Sequence, residues 1–186
     1  DRGNPQSPKI DYESDAGLVA ALQSPARNVR TAAVNKLVAR GNAGFPQLQQ
    51  LFESAENPYV QVRPIWVMAQ LGPKGQGYVR NLLNSRNPQH RLVAYRALRF
   101  AQPAGLIPMA NKMAGDKDPS VRREVALSLR DVPYAKAKRA LAQVIDGYDG
   151  KNRWYLEAIG AGSVGNEDRV YDELVRPSHA KTSPAE

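Results

Sequence analysis

No cysteine occurs in the 186 residues, which excludes disulfides, thiolate metal sites and a C-x-x-C-H haem attachment within them. That absence leaves the compartment open. No apolar run approaches the ~20 residues a membrane span needs. Aromatics make up only 7%, and Ala and Leu dominate the periodic segments, as thin helical layers require. No H-E-x-x-H, G-x-S-x-G or Walker sequence is present. The two histidines, His90 and His179, are far apart. Gly72-Pro73-Lys74-Gly75-Gln76-Gly77 lacks both the preceding strand and the spacing of a phosphate loop. Asp146, Asp149 and Asp168 lack the spacing of a calcium loop, while Asp116, Asp118, Glu124 and Asp131 read as caps or surface ion pairs. Catalytic, cofactor and metal residues are therefore expected to be none. There is no signal peptide, and the chain begins at Asp1 without a methionine, which reads as an excised domain or a processed product.

Acidic residues are also missing where it matters. Residues 1–60 balance six Lys/Arg against six Asp/Glu, whereas residues 61–186 hold 20 against 12, so the whole +8 falls there. Between Glu56 and Asp116 lie 59 residues without an acid and with eight Lys/Arg. Such a stretch can attract a polyanion or an acidic partner, or simply form a solvated face.

What the chain does have is a period. The apolar anchors Leu37, Met68, Leu98, Leu129 and Ile159 step by 31, 30, 31 and 30. A second series, Leu22, Phe52, Leu83, Met113 and Ile145, steps by 30, 31, 30 and 32. Two rulers with one period predict an all-α, right-handed α-solenoid of five to six helical hairpins, in which each unit buries its apolar stripe on its neighbours. The helix pairs are expected near 15–24 and 27–40, 44–54 and 59–71, 76–84 and 88–101, 104–114 and 119–131, and 134–147 and 151–161, with a last helix near 167–175. Residues 1–14 read as a lead-in or linker, 15–175 as the solenoid and 176–186 as a disordered tail.

Turn chemistry repeats as well. Ser24-Pro25, Asn57-Pro58, Asn87-Pro88 and Asp118-Pro119 place a capping side chain before a proline at each second-helix start. Asp15 is the expected cap of the first helix, and Pro64 is expected to delay or kink its helix. Arg30, Arg63, Arg91, Arg122 and Arg153 fall in or near the first turns of the second helices and are expected to tie the interhelix turns together.

The candidate partner-binding residues are Trp66, Tyr95, Arg96, Arg99 and Trp154. By 3.6-residue geometry Leu92, Tyr95, Arg96 and Arg99 share a face opposite Val93, Ala94, Ala97 and Leu98, where Tyr95 could stack on a nucleotide and the arginines could pair with phosphate. Trp66 and Trp154 are large for an Ala/Leu layer and are either core fillers or exposed anchors. The ridge two residues before each anchor reads Asn35, Trp66, Arg96, Leu127 and Glu157. It is not uniformly basic, which disfavours a phosphate-tracking groove.

The pattern small/polar-Pro-x-x-Val-Arg-x-x-Ala-x-x-x-Leu, clearest at Asp118-Pro119-Ser120-Val121-Arg122, resembles HEAT repeats of the short phycobilisome-lyase-like kind over roughly 15–175. Two segments, Leu22–Arg30 and Tyr148–Gly160, are similar to the HEAT region of planctomycete–verrucomicrobial membrane-bound dehydrogenases that join a propeller, HEAT repeats and a c-type haem-binding domain. That resemblance implies a non-catalytic scaffold outside the cytoplasm, in the periplasm, as one segment of a larger redox protein, whose partners are neighbouring domains or another protein. The alternatives are a nucleic-acid-binding protein of the HEAT-like DNA glycosylase type, using its basic face, and a bilin lyase-like activity.

Overall fold

The computed structural model describes residues 9–176, all helix, turn or loop with no strand among them. Both apolar rulers explain why. Leu37, Met68, Leu98, Leu129 and Ile159 are all buried, as are Leu22, Phe52, Leu83 and Met113. In the fifth hairpin the buried residue is Val144 rather than Ile145, which restores a step of 31 from Met113. Burying one such side chain is worth about 1.5–3 kcal/mol, against roughly 0–1 for an exposed ion pair. The anchors therefore dominate the fold.

The contacts group the chain into two units, Asp1–Asn84 with Arg96–Ala101, and Ser85–Tyr95 with Gln102–Glu186. In the first, α1 (Asp15–Ala21) packs on α2 (Arg27–Arg40) and α3 (Phe45–Ser54). Next come α4 (Pro58–Gln61), α5 (Arg63–Met68) and α6 (Pro73–Leu82), with α5 touching α2, α3 and α6. The second helix of this second hairpin is thus broken into α4 and α5, since Pro64 offers no N–H and its ring crowds the carbonyl one turn back. The N-cap of α1 is Ser14, whose hydroxyl accepts from Gly17 N at 2.9 Å, one residue before the expected Asp15. The last residues of the lead-in are held as well: Arg40 donates to Glu13 O at 2.8 Å and pairs with Asp15 at 2.9 Å.

One long helix, α7 (Pro88–Ala101), contributes residues to both units. The second unit continues with α8 (Leu106–Met113), α9 (Pro119–Ser128), α10 (Tyr134–Asp146), α11 (Arg153–Gly162) and α12 (Glu167–Val170), then a π-helical turn over Tyr171–Val175. Here α9 packs on α8, α10 and α11. Asn57, Asn87 and Asp118 accept from the backbone N–H two residues on, as the proline pattern predicts, and Asn152 caps α11. Ser24 Oγ accepts likewise from Ala26 N at 3.2 Å, although α2 itself starts two residues beyond Pro25, after an N-cap, Ala26, with no side-chain bond. The proposed tail beyond residue 176, His179 and residues 1–8 of the lead-in lie outside the described residues.

The arginines form a repeated device. Arg30, Arg91 and Arg122 each stand fourth in their helix and donate from Nη1 to the carbonyls six and five residues earlier. These carbonyls belong to the interhelix turn and have no helical partner. Arg91 and Arg122 also reach 25 residues forward, Arg91 to the Asp116 carboxylate (2.7 and 2.6 Å) and Arg122 to Gly147 O (2.8 Å). The Asp116 hydrogen bond holds the Arg91 guanidinium above its ordinary value. Two expected members differ. Arg63, displaced by the helix break, donates back to Leu22 O at 2.7 Å. Burial, then the neighbouring Arg30 charge, lowers its pKa. Arg153 is the first residue of α11, is exposed, and pairs with Glu157 at 3.3 Å.

Beyond α11 the chain lies back on α10. Val170 is buried, and the Glu173 carboxylate accepts from Lys138 (2.6 Å), Arg169 (3.0 Å) and Tyr134 (3.0 Å). Those donors, Lys138 first, bring Glu173 from 4.5 down to about 2.

Two outcomes follow in unfolding experiments. Arg122→Ala removes donors from four acceptors and should cost about 2–3 kcal/mol in urea denaturation, whereas Arg153→Ala should stay within about 0.5 kcal/mol. Because the Glu173 pKa is depressed, its stabilisation is complete above pH 4.5 and is lost as pH falls towards about 2. The thermal midpoint should drop across that window, and Glu173→Gln should flatten the drop.

Candidate protein-docking surface

The helical period that buries the anchors also fixes what is left outside. All five ridge residues, Asn35, Trp66, Arg96, Leu127 and Glu157, are exposed, each two positions before a buried anchor. Both tryptophans are accordingly at the surface, Trp66 at 36% exposure and Trp154 at 71%.

In the first unit, Trp66 on α5 meets Phe100 near the end of α7 edge-on, with ring centroids 6.4 Å apart. Phe100 is 66% exposed. The pair is an amphipathic shelf of the kind that anchors protein contacts. Arg96 is exposed one turn before Phe100, and Arg99 is half-buried.

Tyr95 does not join them. It is fully buried, its hydroxyl 2.6 Å from Ser128 Oγ on α9, and Leu92 is buried too. The expected stacking face of Leu92, Tyr95, Arg96 and Arg99 therefore does not form. A helix packed on more than one side buries a wider arc than one apolar stripe, and Ser128 supplies the hydroxyl partner that a buried tyrosine needs.

In the second unit, α9 and α11 run side by side and leave an open trough lined by Arg123, Leu127, Trp154, Glu157, Ala158 and Ala161. Leu127 is 44% exposed. Position makes the trough: Arg123 and Leu127 are one turn apart on α9, as are Glu157 and Ala161 on α11. Trp154, second in α11, projects from its first turn. An apolar floor with one cation and one anion at its rim suits a peptide or protein surface. Below it the helices are locked: Arg122 Nε donates to the Tyr155 hydroxyl (2.9 Å), which donates to Val144 O (2.8 Å). Burial raises the Tyr155 pKa, with the Arg122 contact opposing. At Gly162 a Cβ would lie 2.4 Å from Ala126 O, so the close approach of α9 and α11 requires glycine.

Sequence reasoning named Trp154 and Trp66 but not Phe100 or Arg123. Leu127 was visible only as a ridge position.

Residues 78–160 match the family model for HEAT repeats. They form a HEAT-like repeat domain. The expected fold class, an all-α solenoid of helical hairpins, is the one found, and HEAT repeats serve as scaffold and interaction modules. No curated protein matches the chain by sequence. No helix among the described residues is long and apolar enough to cross a membrane.

Because Trp154 is exposed, Trp154→Ala should change stability by less than about 0.5 kcal/mol. In a Trp66→Phe background, the remaining Trp154 emission should be that of water-exposed indole and should be readily quenched by iodide. A blue-shifted, protected signal would show the trough to be closed.

Proposed function

We propose that this HEAT-repeat region is a non-catalytic docking module whose principal contact surface is the α9–α11 trough around Trp154. The observation that carries this reading is an exposed tryptophan beside an exposed leucine on rigidly locked helices. A large aromatic held in water gains most by burial against a partner, and its fixed backbone keeps the ordering cost low. The trough is open, which suits a protein surface better than an enclosed bilin. The resemblance to the HEAT segment of propeller–cytochrome proteins supports a spacer and docking role between redox modules outside the cytoplasm.

A nucleic-acid reading draws only on the acid-free stretch. Several of its cations already serve the fold. Arg63 and Arg91 hold turn carbonyls, and Lys74 sits over the Phe45 ring at 4.7 Å. Tyr95, the intended stacking residue, is buried.

Photo-crosslinking at position 154 in the producing cell, read by mass spectrometry, should capture a protein, on the docking reading a propeller or haem-binding domain. Fluorescence anisotropy with labelled duplex DNA at ~50 mM salt should show no saturable binding below ~10 µM. Submicromolar binding with a steep loss in salt would replace the docking reading with the nucleic-acid one.

A further inference from the structure

Adjacent arginines on α9 behave in opposite ways. Arg122 turns inward and donates to four acceptors, the Tyr155 hydroxyl and the carbonyls of Asp116, Lys117 and Gly147. Arg123 turns to the trough between α9 and α11 and has no acceptor among the described residues. That sets it apart. Among the described residues the half-buried arginines are Arg30, Arg63, Arg91, Arg99, Arg122 and Arg123. The first three and Arg122 hold backbone carbonyls, and Arg99 is engaged as well. Arg123 also lies outside the repeated turn device, since the residue after the device arginine is Thr31 in α2 and Leu92 in α7. A partly desolvated guanidinium with five donors and no acceptor loses hydration and gains no hydrogen bond within the chain.

Its surroundings set what would pair with it. Leu127 stands one turn after Arg123, and Trp154, Ala158 and Ala161 form the facing wall. Glu157, on the α11 lip, is already paired with Arg153 at 3.3 Å, so the unpaired charge at the rim is positive. One cation set into an apolar trough differs from a phosphate track, which needs a row of cations and no carboxylate on the opposite lip. It matches a carboxylate carried beside an apolar side chain. The planar guanidinium fork takes both carboxylate oxygens, and its weak hydration suits a half-dry site. One turn separates Arg123 from Leu127, about 6 Å along the axis. The same separation joins residues one turn apart on a helical ligand, or two apart on an extended one.

We infer that the trough receives an acidic segment of a partner protein, in which an apolar side chain packs between Leu127 and Trp154 and a carboxylate about 6 Å away pairs with Arg123. The inference rests on the docking reading and adds the partner's chemistry to it. Trp154 supplies the area to be buried, and Arg123 selects the sign of charge and fixes the orientation. A basic or uncharged segment would cover the guanidinium and leave it unpaired, which is how the site discriminates against such partners.

The test uses the full chain, immobilised, and a phage-displayed library of random dodecapeptides. Enriched peptides should carry Asp or Glu within one helical turn of Leu, Ile, Phe or Trp. A fluorescein-labelled copy of the most enriched peptide should bind saturably. Binding should be at least about tenfold weaker to Arg123→Gln and to Trp154→Ala, and unchanged to Arg27→Gln, which removes the same charge from α2. Arg123→Glu should bind a peptide with arginine in place of the acid, although either change alone abolishes binding. Thermal unfolding should show each variant folded. Enriched peptides that need Trp154 but carry no acid, or that Arg123→Gln leaves bound, overturn the inference and leave the docking reading standing. Peptides indifferent to Trp154→Ala count against both, and no enrichment overturns the inference. Saturable binding of fluorescein-labelled oligothymidine that Arg123→Gln abolishes would make the occupant a nucleic acid, and overturns it too.

Discussion

The turn between the two helices of a hairpin is the weak point of this architecture, and in three hairpins an arginine at the fourth position of the second helix is what resolves it. A tight turn leaves carbonyls that no helix can satisfy, and leaving them buried and unpaired costs more than any exposed contact returns. In α2, α7 and α9 the same guanidinium nitrogen takes the carbonyls six and five residues back. The fork of donors then allows a second reach forward, to Asp116 from α7 and to Gly147 from α9. Lysine, a point charge with no fixed fork, could not hold both directions at once. Gly147 is part of the device, because a side chain there would meet Arg122 Nε at 2.6 Å.

Much of this was legible in the sequence because it repeats. A period near 31 in two apolar series identified the hairpins, and the buried anchors follow it at nine of the ten positions named. Where the register slips, local chemistry decides. Val144 takes the place of Ile145. The missing N–H of Pro64 breaks one helix in two and sends Arg63 to an earlier turn. In α11 the cap moves to Asn152, which puts Arg153 first and leaves Leu156 in the arginine's position. A ladder drawn by counting residues cannot see that shift. One counted from each helix cap can.

Tyr95 shows why the candidate surface was harder to read than the fold. A single helix wheel gives one apolar stripe and assigns a tyrosine beside two arginines to the polar side. The fate of Tyr95 depends instead on a residue 33 positions away, Ser128, whose hydroxyl makes its burial affordable. No local pattern carries that information. The tryptophans were ambiguous for the same reason, and the ridge spacing, not their hydrophobicity, placed them outside. Their exposure shifts the functional weight from the charge excess, partly used in holding turns, to aromatic contact.

Two exposed faces are presented by α11. Around Trp154 the surface is shaped but not periodic: Arg123, Leu127 and Glu157 make a local trough that any complementary surface can enter. Along Leu156, Gly160 and Val164, four residues apart on the helix, a second exposed face runs beside it. At the other extreme of the described chain, Lys36 and Arg40 draw Tyr12, Glu13 and Asp15 onto the first hairpin, with Asp11 so close to Gly17 that a Cβ there would lie 2.5 Å away. Polar cover of that kind ends a repeat array. Leu156 and Val164 carry no such cover from the described residues and stay exposed at 52% and 45%.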